Sequence, residues 1–335
     1  MGALAGSLID IAVHLPAQVL TNRDLESVHP EWNVPRAASR VGVQARHISA
    51  NGETAFDIAL VAARELLDRH EGLAADVDGI LFCTQTPDYV MPSNAFLLQK
   101  ELGLRKEIIA LDFNLACSGF VYGLAMGLSL LRSGLARNLL LVTADTYSKL
   151  LRNDDRSTRM LFGDGAAVSW LSSDSEVDGV NPLITRFDRF ALCSDGAGWE
   201  DFIVRAGGAR QPVAAVPGYS DRIEMNGLKV LNFVSDRVLI QLRGLLEADD
   251  LQARNLAQCF FHQASGLALE SLRKHLKLRE DQVFSNLAVT GNTVSASIPI
   301  LMRDFFTKQS LGRGSRVLVS GFGVGYSWGS VLATV

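Results

Sequence analysis

"DGILFCTQT", residues 78–86, is echoed by "LAQCFFHQA", residues 256–264, and this pairing decides how the rest of the chain is read. Two more pairs follow it. "LDFNLACSGF" (111–120) matches "SNLAVTGNTVSAS" (285–297), and "RNLLLVTAD" (137–145) matches "SRVLVSGFG" (315–323). The offset stays at about 175 residues, far longer than a solenoid repeat and close to half the chain. In that register Cys83 overlays Cys259, and Cys117 falls near Asn292. Chance likeness among generic apolar strands is the plain alternative. Two fused copies of one α/β unit, packed so that equivalent strand ends face a common cleft, would give the repeat a physical cause. The boundary is then expected near residues 172–180, where "LSSDSEVDG" is polar and turn-rich, giving halves 1–175 and 176–335.

Apolar β-rich runs alternate with helix-like segments throughout, which predicts an α/β protein with buried strands. The predicted strands are "GILFCT", "IIALDF", "NLLLVTA", "AQCFFHQ", "NLAVT" and "RVLVSGF". Helices are predicted over 54–70, 94–102, 119–133, 230–246 and 296–306. "GETAFDIALVAARELLDRH" carries its apolar residues at helical spacing, with acids and bases on the other face.

The bulk numbers exclude several classes. The 335 residues are 48% hydrophobic and 20% charged, ordinary for a soluble enzyme. A net charge of −4 and the lack of a basic stripe argue against a nucleic-acid partner. Apolar runs such as "LLLV" (139–142) are far too short to cross a bilayer. The first residues lack a charged stretch followed by an apolar one, so no secretory leader is expected, and Gly6 stands where myristoylation wants Ser or Thr. The four cysteines, Cys83, Cys117, Cys193 and Cys259, lack CxxC spacing. They read as reduced thiols in the cytoplasm. No metal-ligand motif is present, and no metal is expected.

Four features at predicted strand ends could carry chemistry. Cys117 lies where a strand gives way to Ser118-Gly119 and a helix. A thiol at a helix N-terminus feels unpaired N–H groups, which favour the thiolate; a free cysteine is equally a common core residue. His262 ends a strand and opens a helix, where a buried structural role is also ordinary. Asn292 follows Gly291 and could simply cap a helix. "GFGVGYSWGS" (321–330) has alternating glycines able to present N–H groups close to a ligand, without the spacing of a P-loop or dinucleotide site. Together they gain weight, because a two-fold repeat brings such ends to one place.

These residues resemble the thiolase-fold condensing enzymes, and within them β-ketoacyl-acyl-carrier-protein synthase III. "ACSGF", "HQA", "GNTVSASIP" and "GFGVGYSWGS" occur in that family's order and spacing. "RVGVQARHI", "DRST" and "FGDGA" match lesser signatures, so the likeness spans the chain. The resemblance implies a thiolase fold, a five-layered α-β-α-β-α sandwich of two duplicated halves. It implies Cys117 as acyl-accepting nucleophile, with the backbone N–H groups of Cys117 and Val324 as oxyanion hole. His262 and Asn292 would stabilise the enolate of a malonyl thioester after it loses CO₂. The product would be a 3-oxoacyl thioester.

Some positions depart from the family pattern. Trp32 and Arg40 would correspond to the pair that pinches the coenzyme A adenine, with Arg156 at the phosphates, though extra residues separate Trp32 from "RVGV". Leu267 and Leu228 stand where pantetheine contacts are usually polar. This motivates an alternative in which acyl-Cys117 is delivered to an alcohol or amine of a sugar or secondary metabolite. Met91 falls where a partner subunit's aromatic often closes the acyl pocket. The implied substrates are coenzyme A or acyl-carrier-protein thioesters, with no permanently bound cofactor. The implied assembly is a cytoplasmic homodimer.

Overall fold

The structure, a computed structural model, describes residues 4–174, 177, 179–212 and 221–335. The expected boundary between 175 and 176 lies outside the described residues. In chain order the strands are β1 (Ser7–His14), β2 (Gln18–Thr21), β3 (Ala45–Ile48), β4 (Gly79–Cys83), β5 (Ile109–Phe113), β6 (Asn138–Asp145) and β7 (Gly165–Ser172). They continue as β8 (Arg186–Ser194), β9 (Phe202–Val204), β10 (Ile223–Met225), β11 (Gln258–Phe261), β12 (Arg316–Gly323) and β13 (Ser327–Thr334).

Two sheets dominate. The first has five strands in the order β1-β7-β6-β4-β5, and the second has four in the order β8-β13-β12-β11. In the first, β4 runs parallel to β5 and β6, while the β6–β7 and β7–β1 pairs are antiparallel. The second repeats this sense: β11 is parallel to β12, and the β12–β13 and β13–β8 pairs are antiparallel. The repeat read from sequence is therefore a repeat of topology, with β4, β6 and β7 answering to β11, β12 and β13.

Helices fill the layers around these sheets. Helix Gly119–Arg132 packs on β4 and β6 of the first sheet and on β12 and β13 of the second. Its repeat mate, Ser297–Lys308, contacts β1, β7 and β11, so this pair forms the middle layer. Helix Ala55–Arg69 covers the other face of the first sheet. Thr54 and Asp57 cap each other's backbone at its start, and Ile58, Ala59, Ala62 and Leu66 form its buried stripe. Leu239–Glu247 covers the second sheet against β8 and β13, completing five layers.

Two expectations change. "NLAVT" is not a strand but a helical turn, Leu287–Thr290, whose backbone donors close locally: Thr290 N–H onto Asn286 C=O at 3.2 Å and Gly291 N–H onto Leu287 C=O at 3.0 Å. A short apolar run has no periodicity to separate the two states. The helix expected at 230–246 contains a π-helical stretch, Val234–Val238, between Gly227–Phe233 and Leu239–Glu247. Strands β1, β7, β8 and β13 add to the predicted set. Among the described residues no helix is long and apolar enough to cross a membrane.

Candidate active site

β12 organises the site. Its partner β11 ends at Phe261, and the next residue, His262, donates its backbone N–H to Ser320 of β12 at 2.8 Å. Phe322 meets the His262 ring edge-on, centroids 5.5 Å apart. One residue further, Gly323 lies against Cys117. A Cβ there would stand 2.9 Å from Cys117 Cβ and 3.1 Å from its Sγ, so only glycine lets the strand pass so close. Thus four residues of β12, Ser320–Gly323, hold the histidine and the cysteine to one place. Val324 follows at once, half-buried.

Cys117 sits in the loop between β5 and helix Gly119–Arg132, one residue before the helix N-cap Ser118. The residue is only 5% exposed. Burial pushes the thiol up, the nearby Asp145 carboxylate adds to this, and a backbone hydrogen bond opposes it weakly. The expectation of a resting thiolate is therefore corrected. Helix N–H groups act at the mouth of the helix, but loss of water around the sulfur outweighs them.

His262 is buried, and desolvation lowers it to about 3, so its imidazole is neutral. Nδ1 lies 2.6 Å from Ser297 Oγ. That oxygen also accepts the Gln263 backbone N–H at 3.5 Å, and its hydroxyl can either donate to Nδ1 or accept from Nδ1–H, so His262 can face Asn292 with an Nε2 lone pair or with Nε2–H. Asn292 is also buried, and its Oδ1 accepts the Val294 N–H at 2.9 Å. This fixes the amide with Nδ2 outward, 3.4 Å from His262 Nε2 and 3.5 Å from the Ala264 carbonyl. In the Nε2–H tautomer the pair offers two neutral N–H donors side by side. Ser297 is a site residue that sequence reasoning missed; its place at the start of the helix after "GNTVSA" was the available signal.

A cavity of about 510 Å³ is lined by Asn33, Arg36, Arg40, Arg156 and Ser157, with Met160 at its apolar wall. Arg40 and Arg156 thus line one cavity. Trp32 does not join them. It is 7% exposed, clustered with Leu25, Val34 and Met160, and stacked on His29 with centroids 3.8 Å apart. Arg156 holds the Trp32 carbonyl at 2.7 Å. The third cation is Arg36, four residues before Arg40 on helix Val34–Val41, a spacing that puts both on one face.

A second cavity of about 280 Å³ is lined by Gln85, Asn114, Tyr147, Phe202, Ile223 and Val324. Tyr147 donates its hydroxyl to Gln85, and its ring meets Phe162 at 5.2 Å. Met91 lines neither cavity: it is 80% exposed, beside Tyr89 and Val90. Leu228 and Leu267 are also exposed.

Residues 111–188 match the family described as 3-oxoacyl-[acyl-carrier-protein] synthase III, and residues 246–335 match its C-terminal part. The chain is 33% identical over 335 residues to the beta-ketoacyl-[acyl-carrier-protein] synthase III of Campylobacter curvus, spanning 98% of this chain and 96% of that one. It is 34% identical over 325 residues to the enzyme of the same name from Roseiflexus castenholzii, spanning 95% and 94%. A crystal structure of a 3-oxoacyl-(acyl-carrier-protein) synthase III is similar with a TM-score of 0.92 and 37% identity, over 99% of this chain and 100% of that one. The corresponding protein of Pseudomonas aeruginosa PAO1 gives 0.85 and 34%, over 98% of each chain.

Proposed function

This chain belongs to the 3-oxoacyl-[acyl-carrier-protein] synthase III family, and on that premise we propose how its own residues carry out decarboxylative condensation in fatty acid biosynthesis. The half 1–175 supplies the nucleophile, and the half 176–335 supplies the two donors. In the first step Cys117 Sγ attacks the carbonyl of an acyl thioester. Its proton passes to His262 Nε2 and on to the departing thiolate, leaving the acyl group on sulfur and a free thiol as product. During this step the Ser297 hydroxyl accepts from Nδ1–H. The developing oxyanion takes the backbone N–H groups of Cys117 and Val324, each such donor being worth about 2.7–4 kcal/mol in comparable enzymes.

In the second step a malonyl thioester loses CO₂, and the electron pair of the broken C–C bond becomes an enolate. His262, in its Nε2–H tautomer once the ring has exchanged its proton with solvent after the first step, and Asn292 Nδ2–H hold the enolate oxygen while Ser297 now donates to Nδ1. The enolate carbon attacks acyl-Cys117 and expels the Cys117 thiolate, which takes one proton from solvent, giving the 3-oxoacyl product. The observation that carries this reading is the orientation of Asn292. Its oxygen is occupied by Val294 N–H, so only a donor faces the neutral His262. Transfer to an alcohol or amine would need no such second donor.

The three arginines Arg36, Arg40 and Arg156 suit the phosphates of coenzyme A or of a carrier protein's phosphopantetheine. The cavity of Gln85, Tyr147, Phe202 and Val324 suits the acyl group. The exposed Tyr89, Val90 and Met91, with the free edge of β5, suit a second copy of the chain, and we read the enzyme as a homodimer. Light scattering should give twice the chain mass, and Val90→Asp should lower it; a monomeric wild type would end the dimer reading. Free thiols at all four cysteines suit the cytoplasm. The function is tested by intact mass after exposure to acyl thioesters, with malonyl carrier protein added next. Acyl mass on Cys117 followed by CO₂ and a 3-oxoacyl product is expected. Acyl transfer that ignores malonyl thioester would refute condensation.

A further inference from the structure

The reaction as written leaves one buried carboxyl unused. Asp145, the last residue of β6, is fully buried. Among the described residues no lysine, arginine or histidine pairs with it, yet both its oxygens are engaged. Oδ1 accepts the Gln85 N–H at 2.7 Å and the Thr84 hydroxyl at 3.5 Å. Oδ2 accepts the Ser295 hydroxyl at 2.5 Å and the Ser295 N–H at 3.3 Å. Gln85 belongs to the loop after β4 in the first half, whereas Ser295 lies 150 positions from Asp145 in the second.

Ser295 stands three residues after Asn292 and two before Ser297. A group that grips Ser295 therefore grips the short segment carrying both the donor amide and the hydroxyl behind His262. The chemistry demands a carboxylate. An asparagine offers one acceptor oxygen, so its NH₂ would face the Ser295 N–H and leave that donor unpaired.

We propose that Asp145 is a positioning residue that clamps the Asn292–Ser297 segment to the first half, and so sets the enolate donors His262 and Asn292 against Cys117. This rests on the reading of Cys117, His262 and Asn292 as the reacting groups. Electrostatics adds a second signature. Burial pushes Asp145 up to about 7 against the pull of its donors, and Asp164 adds to the rise. Burial raises Cys83, Cys117 and Tyr147, and the ionised Asp145 carboxylate adds to each rise. Cys83, Cys117, Tyr147 and Asp164 are the titratable groups that face it among the described residues. Neutralising Asp145 therefore frees Cys117 to ionise at lower pH, whereas loosening the segment slows decarboxylation.

Three measurements on full-length wild type, Ser295→Ala and Asp145→Asn test this: acyl loading of Cys117 by mass, CO₂ release from malonyl carrier protein, and the pH profile of Cys117 alkylation by iodoacetamide. Ser295→Ala is expected to load normally but to release CO₂ about tenfold more slowly, with malonyl KM nearly unchanged. Asp145→Asn is expected to show the same kcat loss together with faster Cys117 alkylation at each pH across an alkaline series, a change that packing damage alone would not produce. Wild-type CO₂ release in Ser295→Ala overturns the proposal, as does an unshifted alkylation profile in folded Asp145→Asn. Should circular dichroism show that Asp145→Asn does not fold, Ser295→Ala decides alone, since it removes only a hydroxyl. A wild type that neither loads nor decarboxylates would instead overturn the underlying assignment of the reacting groups, and the clamp with it.

Discussion

Replacing Asn292 by aspartate is the sharpest perturbation of the site, because it changes one atom's chemistry and almost no volume. Oδ1 would still accept the Val294 N–H at 2.9 Å. The atom that donates would become a carboxylate oxygen, 3.4 Å from His262 Nε2 and 3.5 Å from the Ala264 carbonyl. Losing one donor to a developing oxyanion costs about 2.7–4 kcal/mol, or roughly 10²–10³ in kcat, and a negative charge beside the enolate adds to that loss. A carboxylate within about 4–6 Å also favours imidazolium, so His262 would rise from its lowered position. Acyl loading should survive, because Asn292 makes no contribution to that step.

The assay pairs the two half-reactions on one preparation: acyl mass on Cys117, then CO₂ from malonyl carrier protein. The pH dependence has a definite sign. A carboxyl buried at this position has a raised pKa, and its protonated form can donate again. Residual decarboxylation in Asn292→Asp should therefore increase as pH falls, opposite to the loss expected for a thiol-limited reaction. Decarboxylation within tenfold of wild type at neutral pH would refute the enolate-donor reasoning.

Three further outcomes follow from the same geometry. Gly323→Ala should press a methyl onto Cys117, costing about 1–3 kcal/mol and slowing iodoacetamide labelling; unchanged labelling with an unchanged melting temperature would contradict the close approach. Arg36→Ala with Arg40→Ala should raise KM for an acyl-coenzyme A about tenfold while leaving KM for a short acyl thioester without phosphates unaltered, and an equal effect on both donors would sink the phosphate assignment. Because folded His262 is depressed from 6.5 to about 3, the unfolded chain binds the extra proton in that window. Stability should then fall as pH drops below 6.5, by up to about 1.4 kcal/mol per pH unit, with urea midpoints in His262→Ala losing that slope.

The duplicated architecture was legible in sequence because equivalent strands in both halves are buried and so keep similar apolar runs at a constant offset. Cys117, His262 and Asn292 stood out because each lies at the end of such a run, whereas Arg36 was missed, although its four-residue spacing to Arg40 was the available signal. What local pattern could not supply were the outcomes decided by burial and by partners far along the chain. "NLAVT" became a helical turn because its donors closed on Asn286 and Leu287. Trp32 stays out of the cavity of Arg36, Arg40 and Arg156 because His29 and the Leu25–Met160 cluster claim its ring. Burial pushes the Cys117 thiol up because the fold removes its water. Asp145 ends "RNLLLVTAD" and Ser297 lies in "GNTVSASIP", yet neither stretch reveals their roles, which exist only where β6 meets the Asn292 segment and where that segment meets His262. Periodicity records which face of an element is buried, whereas desolvation and the choice of hydrogen-bond partner depend on what the other half of the molecule places opposite it.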